Sequence, residues 1–152
     1  VHKSDKGGVI INIGDFDSAK IGFKKLKLLG GVVVMQEQSF GKEIILGIKR
    51  DAQFGPVIMC GVGGIFVEVL KDISLRICPI DKEEALEMLK ELKSYSILKG
   101  LRGEKSINFE KLLDLMVKLS KLSLKEKITE IDLNPVMVNE QNVDVVDVRV
   151  IG

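Results

Sequence analysis

The sequence predicts an α+β fold, an antiparallel or mixed sheet with helices packed against it. Two observations carry this prediction. Short β-branched runs come first, amphipathic helical patterns follow between residues 81 and 122, and strands return at the end. That order has no regular βαβ alternation, which disfavours a Rossmann fold or a barrel and favours a layered sandwich. With 152 residues the chain is one domain or part of a larger one.

The elements follow in order. Val9 to Ile13 is a β-branched run after Gly7-Gly8 and reads as a strand. Asp15 or Asp17 can cap a helix to about Leu29, with Ile21 and Leu28 seven apart on one face, and Gly30-Gly31 stops it. Gly31 to Gln38, opening with Val32-Val33-Val34-Met35, reads as a buried strand. Glu43 to Arg50 and Pro56 to Cys60 are the next strands, and Gly61-Val62-Gly63-Gly64 breaks the pattern. Ile65 to Leu70 fits a short helix or a strand equally, and Ile73 to Cys78 alternates as a strand. Asp81 with Glu84 makes a capping-box start, and Ala85, Leu89 and Leu92 share one helical face. Leu98 to Lys105 reads as a loop. Ser106 or Asn108 then caps a helix in which Leu112, Leu115, Met116, Leu119 and Leu122 form the apolar stripe. Ile128 to Leu133 is a strand that Pro135 is expected to end. Val136 to Val138 and Val143 to Val148 form a hairpin around Gln141-Asn142.

Composition excludes several chemistries. The single histidine, His2, rules out any zinc site needing two. Cys60 and Cys78 stand eighteen apart with no C-x-x-C, which argues against a zinc ribbon or redox dithiol and for a reducing compartment. Lys+Arg 23 against Asp+Glu 22 gives no general attraction to nucleic acid or anionic membrane. The longest uncharged stretch, between Asp51 and Glu68, is broken by glycines and a proline and cannot be a transmembrane helix. The expectation is a cytoplasmic chain with no leader segment.

Four constellations could carry chemistry. Glu130, Asp132 and Asn134 alternate along one strand and therefore share a face. A neighbouring strand bringing Asp147 alongside would complete an oxygen-only site suited to magnesium, although the same alternation also describes a solvated edge strand. The glycines at 61, 63 and 64 would let a backbone approach a phosphate, or simply make a tight turn. Gln36-Glu37-Gln38, followed by Glu43, could contact a purine edge and a ribose. His2-Lys3 offers a base or nucleophile on what could equally be a mobile tail. Lys49-Arg50 and Arg76 offer phosphate partners or surface charge.

Taken together, these segments resemble one family. The matching stretches are His2-Lys3-Ser4-Asp5-Lys6-Gly7-Gly8-Val9, Gln36-Glu37, Arg50-Asp51-Ala52-Gln53-Phe54-Gly55-Pro56, Gly61 to Asp72, and Tyr95 to Gly103. Glu130-Ile131-Asp132-Leu133-Asn134-Pro135-Val136 and Val146-Asp147-Val148-Arg149 finish the series. In this order they resemble the ATP-grasp (beta) subunit of ADP-forming acetyl-CoA synthetases, relatives of succinyl-CoA synthetase.

The resemblance implies an ATP-grasp fold, incomplete at its N-terminus, over residues 1–152. Family members carry roughly seventy further residues ahead of the histidine motif, including a nucleotide-binding lysine. It implies an acid–thiol ligase that interconverts acyl-CoA, ADP and phosphate with acid, CoA and ATP through a phosphohistidine relay. The implied phosphoryl carrier is His2, with Glu68 supporting. Lys3, Gln36, Glu37, Glu43 and Arg50 would contact the nucleotide, and Asp132, Asn134 and Asp147 would hold Mg2+. The implied partner is a CoA-binding alpha subunit or domain in a hetero-oligomer, and the 152 residues alone are expected to be inactive. Two further readings are a non-catalytic synthetase-like domain of a larger acyltransferase and a succinyl-CoA synthetase beta subunit. The presence of His2, Asp132, Asn134 and Asp147 favours the enzyme over the first. The full Arg-Asp-x-Gln-Phe-Gly-Pro motif favours the acetyl-type branch over the second.

Overall fold

Alternating burial along the strands builds the sheet. The computed structural model describes residues 7–63, 71–101, 103–125 and 128–152, and the chain divides into two compact units, residues 1–38 and 39–152. The larger unit holds β1 (Lys42–Asp51), β2 (Gly55–Val62), β3 (Ile73–Ile77), β4 (Glu130–Val138), β5 (Val143–Val145) and β6 (Val148–Ile151). These run antiparallel in the order β3-β2-β1-β4-β5, with β6 also paired to β4. Ile44, Leu46 and Ile48 of β1, Ile58 and Cys60 of β2, and Ile131 and Leu133 of β4 point to one face and are buried. Fully burying such a side chain contributes about 1.5–3 kcal/mol, so this face decides the register of β1, β2 and β4.

Helices cover that face. In the larger unit these are α2 (Lys82–Glu91), the short α3 (Tyr95–Leu98) and α4 (Phe109–Leu122). Asp81 caps α2 in the expected box with Glu84, and Ala85, Met88 and Leu89 are buried, with Leu92 at its C-cap. Asn108, not Ser106, caps α4 by accepting the Lys111 N–H at 3.0 Å. The α4 stripe is rotated from expectation: Leu113 and Ser120 are buried, while Leu122 is exposed. Ser120 Oγ there accepts the Ile80 N–H at 3.2 Å, which a purely apolar count would miss. The short α3 ends at Leu98, where the stretch read as loop begins, and its four residues are too few to show a period.

The smaller unit departs most from expectation. Its helix α1 (Phe16–Lys27) forms, with Asp15 as N-cap accepting the Ser18 N–H at 2.7 Å. The flanking runs 9–13 and 31–38 carry no strand ladder. They meet instead through a side-chain pair: the Asn12 N–H donates to Gln38 Oε1 at 2.7 Å, and Gln38 Nε2 donates to Asn12 Oδ1 at 3.1 Å. Ile21 and Leu28 are exposed, and the buried point of α1 is Gly22, whose open surface receives Ile10 and Ile13. β-Branched composition marks a preference for extended backbone, but a strand exists only where a neighbour supplies the ladder. No described helix is long and apolar enough to cross a membrane.

Candidate functional site

The sheet's second face carries the candidate residues of β4. Antiparallel partners share a face, so Leu75, Met59, Gly47, Asp132 and Arg149 form one row across β3, β2, β1, β4 and β6. Ile77, Val57, Lys49, Glu130 and Ile151 form the next. The face is apolar on β2 and β3 and charged on β4 and β6. Glu130, Asp132 and Asn134 do alternate outward while Ile131 and Leu133 are buried.

Pro135 does not end the strand. Leu46 pairs with Leu133 and Ile44 with Val136, so Asn134 and Pro135 together oppose Ile45 in a β-bulge. A bulge is where a strand tolerates a residue without an N–H. The extra residue also reverses the alternation, so Leu133 and Val136 both reach the core although they are three apart. On the other side the ladder to β5 and β6 is interrupted opposite the bulge. There the Asn134 N–H donates to Asp147 O at 3.2 Å and the Val146 N–H to Pro135 O at 3.1 Å. These two bonds bring Asp147 beside Asn134.

The local charge is unbalanced toward acid. Burial pushes the Asp132 carboxyl above the usual carboxylate range, the Glu130 charge pushes it further, Arg149 opposes this and Asp147 adds to it. A cation among these groups would relieve that cost. Among the described residues no cluster of three His, Cys, Asp or Glu side chains could hold a metal ion. The candidate set is two carboxylates and one amide oxygen, which suits a magnesium ion that keeps water and phosphate oxygens as its other ligands.

The remaining sequence candidates are distributed as follows. Glu43 is exposed near the start of β1, opposite Met137, and its carbonyl accepts the Gly63 N–H at 2.7 Å. A Cβ at Gly63 would meet Glu43 Cβ at 2.7 Å, so this glycine is required by close strand packing. Gln36 and Glu37 lie exposed in the smaller unit. His2, Lys3 and Glu68 lie outside the described residues, as do Gly64 and the ambiguous 65–70 stretch.

Arg50 is occupied structurally. Its Nε donates to Ile128 O at 3.2 Å, and its Nη2 donates to Ser123 O at 2.9 Å and Lys125 O at 3.3 Å, just past the C-terminus of α4. Cations suit that end of a helix. Asp51 Oδ1 accepts the Gln53 and Phe54 N–H groups, and Gly55 takes φ +75°, so the rest of that motif makes the β1–β2 turn. Arg76 is likewise engaged, with the Glu91 carboxylate, which also accepts from Ser74 Oγ at 2.6 Å. Two residues quoted above within matched stretches had been given no role of their own. Asp72 is buried and accepts from Lys93 N–H, Ser94 N–H and Ser94 Oγ at 2.8, 2.8 and 2.5 Å, anchoring the chain just after the 64–70 stretch. Arg149 faces Asp132, and its spacing two after Asp147 was the available signal.

Residues 1–151 match the ATP-grasp domain family. The beta subunit of acetate–CoA ligase (ADP-forming) I from Pyrococcus furiosus is 46% identical over 162 residues, covering 99% of this chain and 70% of that protein. Acetate–CoA ligase (ADP-forming) I from Archaeoglobus fulgidus is 49% identical over 161 residues, covering 99% of this chain but 24% of that longer protein. Among solved structures, the dinucleotide-forming acetyl-coenzyme A synthetase 1 of Ca. Korarchaeum cryptofilum, in complex with coenzyme A and Mg-AMPPCP, superimposes with a TM-score of 0.87 at 37% identity. That match covers 99% of this chain and 70% of the other.

Proposed function

The chain belongs to the ATP-grasp family, among the subunits and domains of ADP-forming acetate–CoA ligases, and from that premise we propose that it supplies the nucleotide-binding half of an acyl-CoA synthetase. The reaction interconverts acyl-CoA, ADP and phosphate with acid, CoA and ATP. The observation that carries this reading is the placement of Asp132 and Asn134 on one open face with Asp147 tied to Asn134 by a backbone bond. Magnesium bound there would neutralise charge on the nucleotide phosphates.

The chain's own residues then divide the work. Asp132, Asn134 and Asp147 hold the metal. Glu43 accepts the ribose hydroxyls, while Gln36 and Glu37 contact the base. His2 takes and returns the phosphoryl group, since a neutral imidazole is a competent acceptor, with Lys3 contacting phosphate and Glu68 supporting. Arg50 is left out of the nucleotide contacts because helix-end carbonyls hold its guanidinium. The CoA-binding function belongs to a partner subunit or fused domain.

The test uses the subunit assembled with that partner. Incubation with ATP and magnesium should place an acid-labile, base-stable phosphate on His2, and His2→Ala should abolish it. Equal labelling of the variant would remove His2 from the relay. Asp147→Asn should weaken magnesium-dependent ATP binding, and an unchanged titration would remove it from the metal set.

A further inference from the structure

The strand register sets a cation beside the proposed metal site. Arg149 on β6 lies directly opposite Asp132 on β4. Directly opposed residues of antiparallel strands project to the same face, with Cβ atoms about 5 Å apart. The other neighbour of Asp132 in that row is Gly47, which has no side chain, so Arg149 is the flanking side chain. It is exposed, and among the described residues it makes no ion pair within 4.0 Å.

The other basic groups of these strands differ. The Arg50 guanidinium is held by backbone carbonyls and Arg76 by Glu91. Lys49 lies in the next row, opposite Glu130 and about 7 Å further along the strands. A magnesium ion on Asp132, Asn134 and Asp147 leaves phosphate oxygens uncovered, and a guanidinium matches two of them at once.

We propose that Arg149 is a phosphate-positioning residue whose guanidinium grips the polyphosphate of a nucleoside di- or triphosphate held at Asp132, Asn134 and Asp147. This rests on the metal-site reading above. Arg149 fixes the phosphate chain along β6, while the base and ribose are held elsewhere. Its loss therefore weakens binding in proportion to phosphate content.

The experiment titrates Mg·ATP and adenosine separately into the assembled synthetase, as wild type, Arg149→Met, Arg149→Lys and Asp132→Asn. Arg149→Met should weaken Mg·ATP by roughly tenfold or more, with Arg149→Lys intermediate and adenosine affinity unchanged within about twofold. Mg·ATP affinity at the wild-type level in Arg149→Met overturns the proposal while leaving the metal site standing. So does equal loss of ATP and adenosine, which marks a structural role. Asp132→Asn binding Mg·ATP like wild type overturns the metal-site reading and this inference with it. Should Arg149→Met not fold, Arg149→Gln is titrated against the same outcomes.

Discussion

The turn between β1 and β2 and the bulge in β4 both fall on motifs that the family resemblance picked out, yet they use their polar residues in opposite ways. At the turn, Asp51 and Arg50 spend their side chains on backbone groups: Asp51 on two N–H groups, Arg50 on carbonyls past α4. At the bulge, Asp132 and Asn134 point outward and Asp147 is brought alongside through main-chain bonds. A second pair repeats the contrast. Burial alone would raise the Asp72 carboxyl, but the Ser94 hydroxyl and the Ser94 and Lys93 N–H groups outweigh it and hold it below the usual range. Burial and the acidic neighbour Glu130 instead push Asp132 up. Polar groups satisfied within the chain build the scaffold. Asp132, pressed by burial and by Glu130 with Arg149 opposing, is the carboxylate that our proposal gives to a ligand.

Substitutions can break that comparison. The largest effect is expected at the bulge: Asp132→Asn should reduce magnesium-dependent turnover of the assembled synthetase by about 100-fold while leaving the urea midpoint nearly unchanged. A variant that loses stability and keeps activity would place Asp132 with the scaffold. At the turn the reverse is expected. Arg50→Met should cost about 2–3 kcal/mol in chemical denaturation, because three carbonyls lose a charged donor, with nucleotide affinity of the folded protein preserved. A selective loss of ATP affinity there would return Arg50 to the phosphate contacts.

Gly63→Ala is a smaller test. Its Cβ would sit 2.7 Å from Glu43 Cβ, so β1 and the end of β2 must separate. The expected cost is about 1–3 kcal/mol, together with a shift of Glu43 that shows as weaker adenosine binding. Unchanged values on both counts would show that the strands part freely. The smallest effect is pH-dependent. The lowered native pKa of Asp72 means that its stabilisation is full above the unfolded value of about 3.9 and is lost as pH falls through the lower native value. Asp72→Asn should therefore be less stable than wild type at neutral pH, with the gap narrowing below about pH 4. Thermal midpoints measured down the acid range check this, and parallel profiles would mean that Asp72 is not the group responsible.

Much of this was legible in the sequence, for identifiable reasons. The capping box at Asp81 and the apolar stripe of α4 are local patterns that packing preserved with a small rotation. The strands β1, β2 and β3 were readable because each also found a ladder. Residues 9–13 and 31–38 have the same composition but pair in no ladder among the described residues, and there the structure departs from the strand expectation. In the site, the shared face of Glu130, Asp132 and Asn134 follows from the period of two alone. The extra residue at Asn134-Pro135 does not, since a bulge is defined only by what lies opposite it.

The amino-acid sequence by itself determined the chemistry on offer: one histidine, an oxygen-only acidic stretch, two cysteines without a C-x-x-C spacing and a family motif series. It also determined which residues could share a strand face, because side-chain alternation is a property of the local backbone. Only the tertiary structure decided which of those groups are already spent. Arg50 and Arg149 are the same residue type in matched motifs, and strand alternation gives each a face but not a partner. One meets the end of α4, 73 to 78 residues away in the chain, and the other meets Asp132 across a strand pair. Whether a charge is satisfied within the chain or left for a ligand depends on partners distant in sequence, and folding alone brings those partners together.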